Sequence, residues 1–149
     1  MAGYWNKPEE TEKVMRGGWF HSGDIGWMDE EGYLFIVDRK HFMIISGGFN
    51  IYPAEVETVL LQHEDILETA VLGVPDPTWG EKVVAIVRLK EGKEGSAEDI
   101  QAFCRKHLAG YKIPKEMILV KEPLPRNHFG KIIRVELKKL YQQRDEAIQ

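Results

Sequence analysis

Cysteine is almost missing from this chain: Cys104 is the single thiol in 149 residues. No internal disulfide can form, and a reducing compartment suits such a protein. No apolar run approaches the ~20 residues that a membrane-spanning helix needs. The opening MAGYWNKPEE has neither the basic flank nor the apolar centre of a signal peptide, so a cytoplasmic protein is expected. His21, His41, His63, His107 and His128 show no metal-ligand spacing and no cysteine pair supports them, so no metal site is expected within the chain. Positive charge is not in excess either. The formal net charge of −4 argues against nucleic acid as the main partner. A serine-nucleophile motif, an outstanding pair of carboxylates, internal repeats and low-complexity tracts are all missing too.

What is present is a soluble globular balance, 43% hydrophobic and 30% charged, in a chain long enough to bury a core without disulfides or metal. One basic stretch stands apart: Arg126, Lys131, Arg134, Lys138, Lys139 and Arg144, relieved by Glu136. On charge alone it reads better as a solvated helix face than as a polyanion site.

To about Gly32 the chain is rich in Gly, Trp and charge, with no sustained period. A short helix around Glu9 to Met15 is expected, and turns elsewhere, with Gly-Gly at 17–18 and Ser-Gly-Asp at 22–24. Three of the four tryptophans, Trp5, Trp19 and Trp27, fall here. So many large aromatics with so little pattern suggest packing against something outside the chain, and hence a fragment.

From Tyr33 the pattern sharpens. YLFIVDR and FMIIS read as strands. Pro53 then opens a helix, where its missing N–H costs nothing; Glu55 and Glu57 complement the helix dipole, and Val56, Val59, Leu60 and His63 share a stripe. Ala70 to Val74 reads as a buried strand ended by Pro75, and Val83 to Lys90 as a strand exposed at its far end. Ser96, with Asp99 three residues on, caps a helix carrying Ile100, Phe103, Cys104, His107 and Leu108, which Gly110 should stop. Ile118 to Val120 makes a short strand, and Ile133, Leu137, Leu140 and Tyr141 line a last helix. Over about residues 43–142 this gives an α+β domain: a small sheet of about three strands plus a β-hairpin, covered by helices.

Three short segments have the composition of a ligand site. In Pro123 to Lys131, two prolines, Arg126-Asn127 and Gly130 break regular structure, and Gly130 would let the backbone approach a ligand while the Lys131 ammonium reaches it. This is no Walker loop, because Pro125 and Ile132 stand where Gly and Ser or Thr belong. Taken alone, a Gly-Lys turn is more often a solvated surface lysine. Ser46-Gly47-Gly48 could cradle a phosphate or admit a thin ligand, or be an ordinary turn. Asp24 could hold a sugar diol and Arg39 a ribose or phosphate, though singly each is more often a turn-former or half of an ion pair.

The order of motifs is more specific than any one of them. HSGDIGWMDEEGYLFIVDRK, MIISGGFNIYPAEVE, GVPDPTWGEKVVAIV, YKIP and LPRNHFGKIIR together resemble the C-terminal part of adenylate-forming acyl-CoA synthetases, over about residues 16–141. The resemblance implies that residues 1–37 are the end of a larger N-terminal domain, 38–42 a hinge, and 43–149 the mobile C-terminal catalytic domain. It implies that Asp24 binds the ribose hydroxyls of ATP or acyl-AMP, that Arg39 lies near ribose and phosphate, and that Ile36 packs near the nucleoside. Lys131 is implied as the lysine that bridges acyl carboxylate and α-phosphate during adenylation, and Gly47 and Gly48 as lining the pantetheine tunnel. ATP and Mg2+, bound mainly by the N-terminal domain, and CoA as co-substrate follow; so do a carboxylic acid and that N-terminal domain as partners. The phosphate loop and acyl pocket belong to the larger domain, so this chain alone is expected to be inactive.

Two departures from the family pattern stand out. His41 occupies the hinge position, usually Asp or Lys, and Phe42 follows where an acidic or polar residue is usual; a hinge histidine would make rotation pH-sensitive. Ile45 replaces a second lysine of coumarate-CoA ligase-like and luciferase-like members, which leans toward fatty or other simple acyl acids. An adenylation domain that loads a carrier-protein thiol, and a stand-alone regulatory or interaction domain, are the competing readings. The presence of Asp24, Arg39, Gly48 and Lys131 together weighs against the last.

Overall fold

The computed structural model describes residues 1–148, with side chains described through Arg144. The chain forms two compact units, Met1–His41 and Phe42–Gln149.

In the first unit, helix α1 (Pro8–Val14) leads into β1 (Met15–Arg16) and β2 (Trp19–Phe20), which pair antiparallel. Gly17 and Gly18 join them with φ of 61° and 81°, the pair of positive values that a two-residue type I′ turn requires. Then β3 (Asp24–Met28) and β4 (Leu34–Arg39) form a second hairpin. Reading this region as turns between helix and strand was therefore incomplete. A two-residue strand carries no periodicity, and β3 hides behind its glycine. No residue of this unit is buried, and Trp5 and Trp19 are 88% and 77% exposed.

The second unit holds the core. Its sheet combines a hairpin, β5 (Ile44–Ser46) and β6 (Phe49–Ile51), with three strands: β7 (Ile66–Asp76), β8 (Gly80–Leu89) and β9 (Glu116–Val120). β7 runs antiparallel along the whole of β8. On the other edge of β8, β5 pairs at Gly80 and β9 runs parallel from Val84 to Arg88. β7 continues through Pro75 instead of ending there, because an edge strand can spare the N–H that proline lacks.

Both faces of β8 are covered, so Val83 to Val87 are all buried. Val83, Ala85 and Val87 face a cluster with Val56 and Leu60 of α2 (Pro53–Leu60) and Ile100 and Cys104 of α3 (Ala97–His107). Val84 and Ile86 face the opposite cluster with Leu124 and with Leu137 and Tyr141 of α4 (Arg134–Ile148). Ser96 caps α3, its Oγ accepting from Asp99 N at 3.0 Å and donating to Asp99 Oδ2 at 2.7 Å. Gly110 does not stop α3. The helix ends at His107, Leu108 is extended, and Gly110 opens a short 3-10 turn. His63 lies beyond the end of α2, edge-on to the Phe103 ring, and His107 tilts against the same ring but stays exposed.

Candidate functional site

Lys131 sits at the base of a hairpin loop with an internal order of its own. Asn127 donates N–H to Lys131 O at 2.9 Å, and its Oδ1 accepts from Phe129 N at 3.0 Å and Lys131 N at 2.9 Å. Gly130, at φ 79°, turns the chain where a side chain would be strained. Arg126 spans the loop: Nη1 donates to Gly130 O at 2.7 Å, Nη2 to Glu68 Oε2 at 2.6 Å. The stem is held by buried Leu124 and by Ile133 N donating to Pro125 O at 2.8 Å. The Lys131 side chain is exposed, and no ion pair joins its ammonium to another described residue.

Gly47 and Gly48 form the turn of the β5–β6 hairpin, with φ of 57° and 82°. Gly47 donates to Trp79 O at 2.9 Å, and a Cβ there would meet the Trp79 ring at 3.0 Å. At Gly48 a Cβ would meet nothing within 4 Å. Phe49 stacks on Tyr111 at 4.5 Å, and Lys115 lies over Trp79 at 4.9 Å. These aromatics were not picked out from the sequence, where only the glycines marked the turn; Trp79 beside Gly80 was the available signal.

In the first unit, Asp24 and Arg39 are direct cross-strand partners, and Arg39 Nε lies 2.7 Å from Asp24 Oδ1. The antiparallel register alone brings them together. Arg39 N also donates to Asp38 Oδ1 at 2.7 Å. Ile36 pairs with Gly26 across the hairpin and is 61% exposed. Gly26 is required there, since a Cβ would meet Phe35 O at 2.5 Å. His41 lies in a 3-10 turn over Lys40–Phe42.

This arrangement has close relatives. Residues 55–131 match the AMP-binding enzyme C-terminal domain. The chain belongs to that family. It is 52% identical over 138 residues to the 2-succinylbenzoate–CoA ligase of Geobacillus kaustophilus, covering 93% of this chain and 28% of that protein. It is 54% identical over 137 residues to the long-chain-fatty-acid–CoA ligase of Bacillus subtilis, covering 92% and 24%. Among solved structures, the o-succinylbenzoate CoA synthetase of Bacillus subtilis, in complex with its acyl-adenylate intermediate, matches with a TM-score of 0.85 at 42% identity, over 93% of this chain and 28% of that one. The chain thus spans about a quarter of the length of the curated relatives it matches.

For an AMP-binding enzyme C-terminal domain, the basic stretch at the end reads differently once its partners are seen. Arg126 pairs with Glu68, Arg134 with Glu57, and Arg144 with Glu116. Arg126 and Arg134 are thus structural ties, whereas Arg144, half exposed and 3.4 Å from Glu116, is a surface pair. Both Glu57 carboxylate oxygens accept from Arg134 Nη2, at 2.6 and 2.8 Å, and Oε1 also accepts from Val71 N at 2.8 Å, so Glu57 does more than complement a helix dipole. Among the described residues no group of three or more His, Cys, Asp or Glu side chains could hold a metal, and no helix is long and apolar enough to cross a membrane.

Proposed function

We propose that this chain is the C-terminal part of an acyl-CoA synthetase that converts a carboxylic acid and ATP to acyl-AMP and pyrophosphate, then transfers the acyl group to CoA. In this reading residues 1–37 end the larger N-terminal domain, 38–42 with His41 form the hinge, and 43–149 are the mobile catalytic domain. Asp24 accepts the ribose hydroxyls, Arg39 holds Asp24 and reaches toward ribose and phosphate, and Ile36 packs beside the nucleoside. The Lys131 ammonium meets the charge that gathers as the carboxylate attacks the α-phosphorus. Magnesium, with no fitting acidic cluster among the described residues, would travel with ATP on the larger domain, and no step here depends on it. A fatty acid is the narrower form of the proposal. It is supported by Ile45, which stands in place of a second lysine, while the relatives include both fatty-acid and succinylbenzoate ligases.

The observation that carries this reading is the placement of two candidate edges on one rigid sheet. The Gly47–Gly48 turn adjoins Gly80 at the start of β8. The Lys131 loop is tied to Glu68, which pairs with Arg88 near the other end of the strand. Arg88 is eight residue steps along the strand from Gly80, about 26 Å at ~3.3 Å per residue. Edges anchored near opposite ends of one strand suit two half-reactions served in turn by rotation. Pyrophosphate exchange by the enzyme carrying this chain, over a panel of acids, tests it. Lys131→Ala should lower exchange by about 10²–10³ while thioester formation from preformed acyl-AMP persists; full exchange by the variant would refute the role of Lys131.

A further inference from the structure

We propose that Glu68 is the positioning residue for Lys131, setting the place of the catalytic loop through Arg126. The inference rests on the reading of Lys131 given above. Glu68 stands on the edge strand β7 with its side chain only 12% exposed. Its carboxylate accepts three donors, one from β8 and two from the loop segment: Arg88 Nη1 at 3.1 Å, Leu124 N at 3.1 Å and Arg126 Nη2 at 2.6 Å. Arg88 fixes the carboxylate to the central strand. Leu124 N–H fixes the chain as it enters the loop. Arg126 carries the constraint outward, because its other terminal nitrogen donates to the carbonyl of Gly130 at 2.7 Å.

That carbonyl belongs to the peptide bond whose nitrogen is Lys131's. Two side chains, bonded at both ends, therefore connect the sheet to the backbone of the lysine. Asn127 orders the loop internally but does not fasten it to the sheet. Without Glu68 the turn would persist and pivot on its stem. A displaced Cα displaces the ammonium, and a 1 Å error at a reacting centre can cost about 10²-fold in rate. The guanidinium suits the task because its planar fork serves two acceptors at fixed angles. Burial pushes the Glu68 carboxyl up, but the hydrogen bonds from Arg126, Leu124 N–H and Arg88 together hold it below the ordinary carboxylate range. The strut is therefore charged at neutral pH.

The test uses the enzyme carrying this chain, with Glu68→Gln, Arg126→Ala and Arg126→Lys beside Lys131→Ala. Pyrophosphate exchange, thioester formation from preformed acyl-AMP and thermal unfolding are measured on each. Glu68→Gln and Arg126→Ala should lower exchange by about 10- to 100-fold in kcat, with KM for acid and ATP and the thioester rate close to the parent's. Arg126→Lys should not restore exchange, since an ammonium cannot reproduce the two-acceptor fork. Unchanged exchange in Glu68→Gln, with Lys131→Ala impaired, overturns this inference alone. Unchanged exchange in Lys131→Ala overturns the reading beneath it as well. Equal loss in both half-reactions, accompanied by a lowered unfolding temperature, would make Glu68 a purely structural residue and also overturn the inference.

Discussion

Cys104 shows how burial decides chemistry at a single side chain. Its thiol is fully buried between α3 and the sheet, and desolvation pushes its pKa from 9.0 to about 11. The thiolate is the reactive form, so at pH 8 the folded protein should be almost inert to a thiol reagent and label at full rate only after unfolding. Labelling kinetics with and without denaturant check this; fast labelling of the native chain would contradict the packing. The helical spacing of Cys104 with Ile100, Phe103 and Leu108 was legible in the sequence. Glu68 was not legible in the same way. An acidic residue in a strand becomes informative only when Arg88 and Arg126, 20 and 58 residues away, are brought to it by folding.

At the scale of elements, local chemistry was readable wherever it closed within a turn. Pro53 opens α2 and Ser96 caps α3, while the Gly47–Gly48 pair, open in the sequence between a ligand cradle and an ordinary turn, folds β5 back on a strand β6 that the sequence had not suggested. What depended on neighbours in space was not. β7 passes through Pro75 because it lies on the sheet edge, and α3 ends at His107 rather than running on to Gly110. The cap lends itself to measurement. Ser96→Ala removes the acceptor for Asp99 N, leaving one of the orphan N–H groups of the first turn without its partner. Stability should fall by about 1 kcal/mol, which for a chain of this size lowers the unfolding temperature by roughly 2–4 °C. No shift, or a loss of function with no shift, would show that the cap is not a local stability device.

At the scale of the whole molecule, the two-faced sheet offers a physical basis for the proposal that the Lys131 and Gly48 edges act separately. Strand β8 is buried on both faces, a feature that the run of Val83 to Val87 suggested only weakly, because alternation there mixes residues of equal hydrophobicity. A change confined to a surface turn near one end of the strand should leave the chemistry proposed near the other end intact. Gly48 supplies the counterpart of the Lys131 experiment. It has φ 82° and open space where a Cβ would point, so Gly48→Leu would place bulk into the space proposed for pantetheine. Any L-residue there also carries a left-handed strain of roughly 1–2 kcal/mol. Gly92→Leu controls for that strain, since Gly92 has φ 73°, equally open space and lies in the loop after β8. The expected outcome is a thioester rate reduced by about 10²-fold in Gly48→Leu, pyrophosphate exchange close to the parent's, and Gly92→Leu unaffected in both. If Gly48→Leu instead lowers exchange and leaves thioester formation alone, the two edges have been assigned to the wrong half-reactions. If both variants lose both activities together, backbone strain rather than tunnel access accounts for the loss, and the separation of the two edges fails.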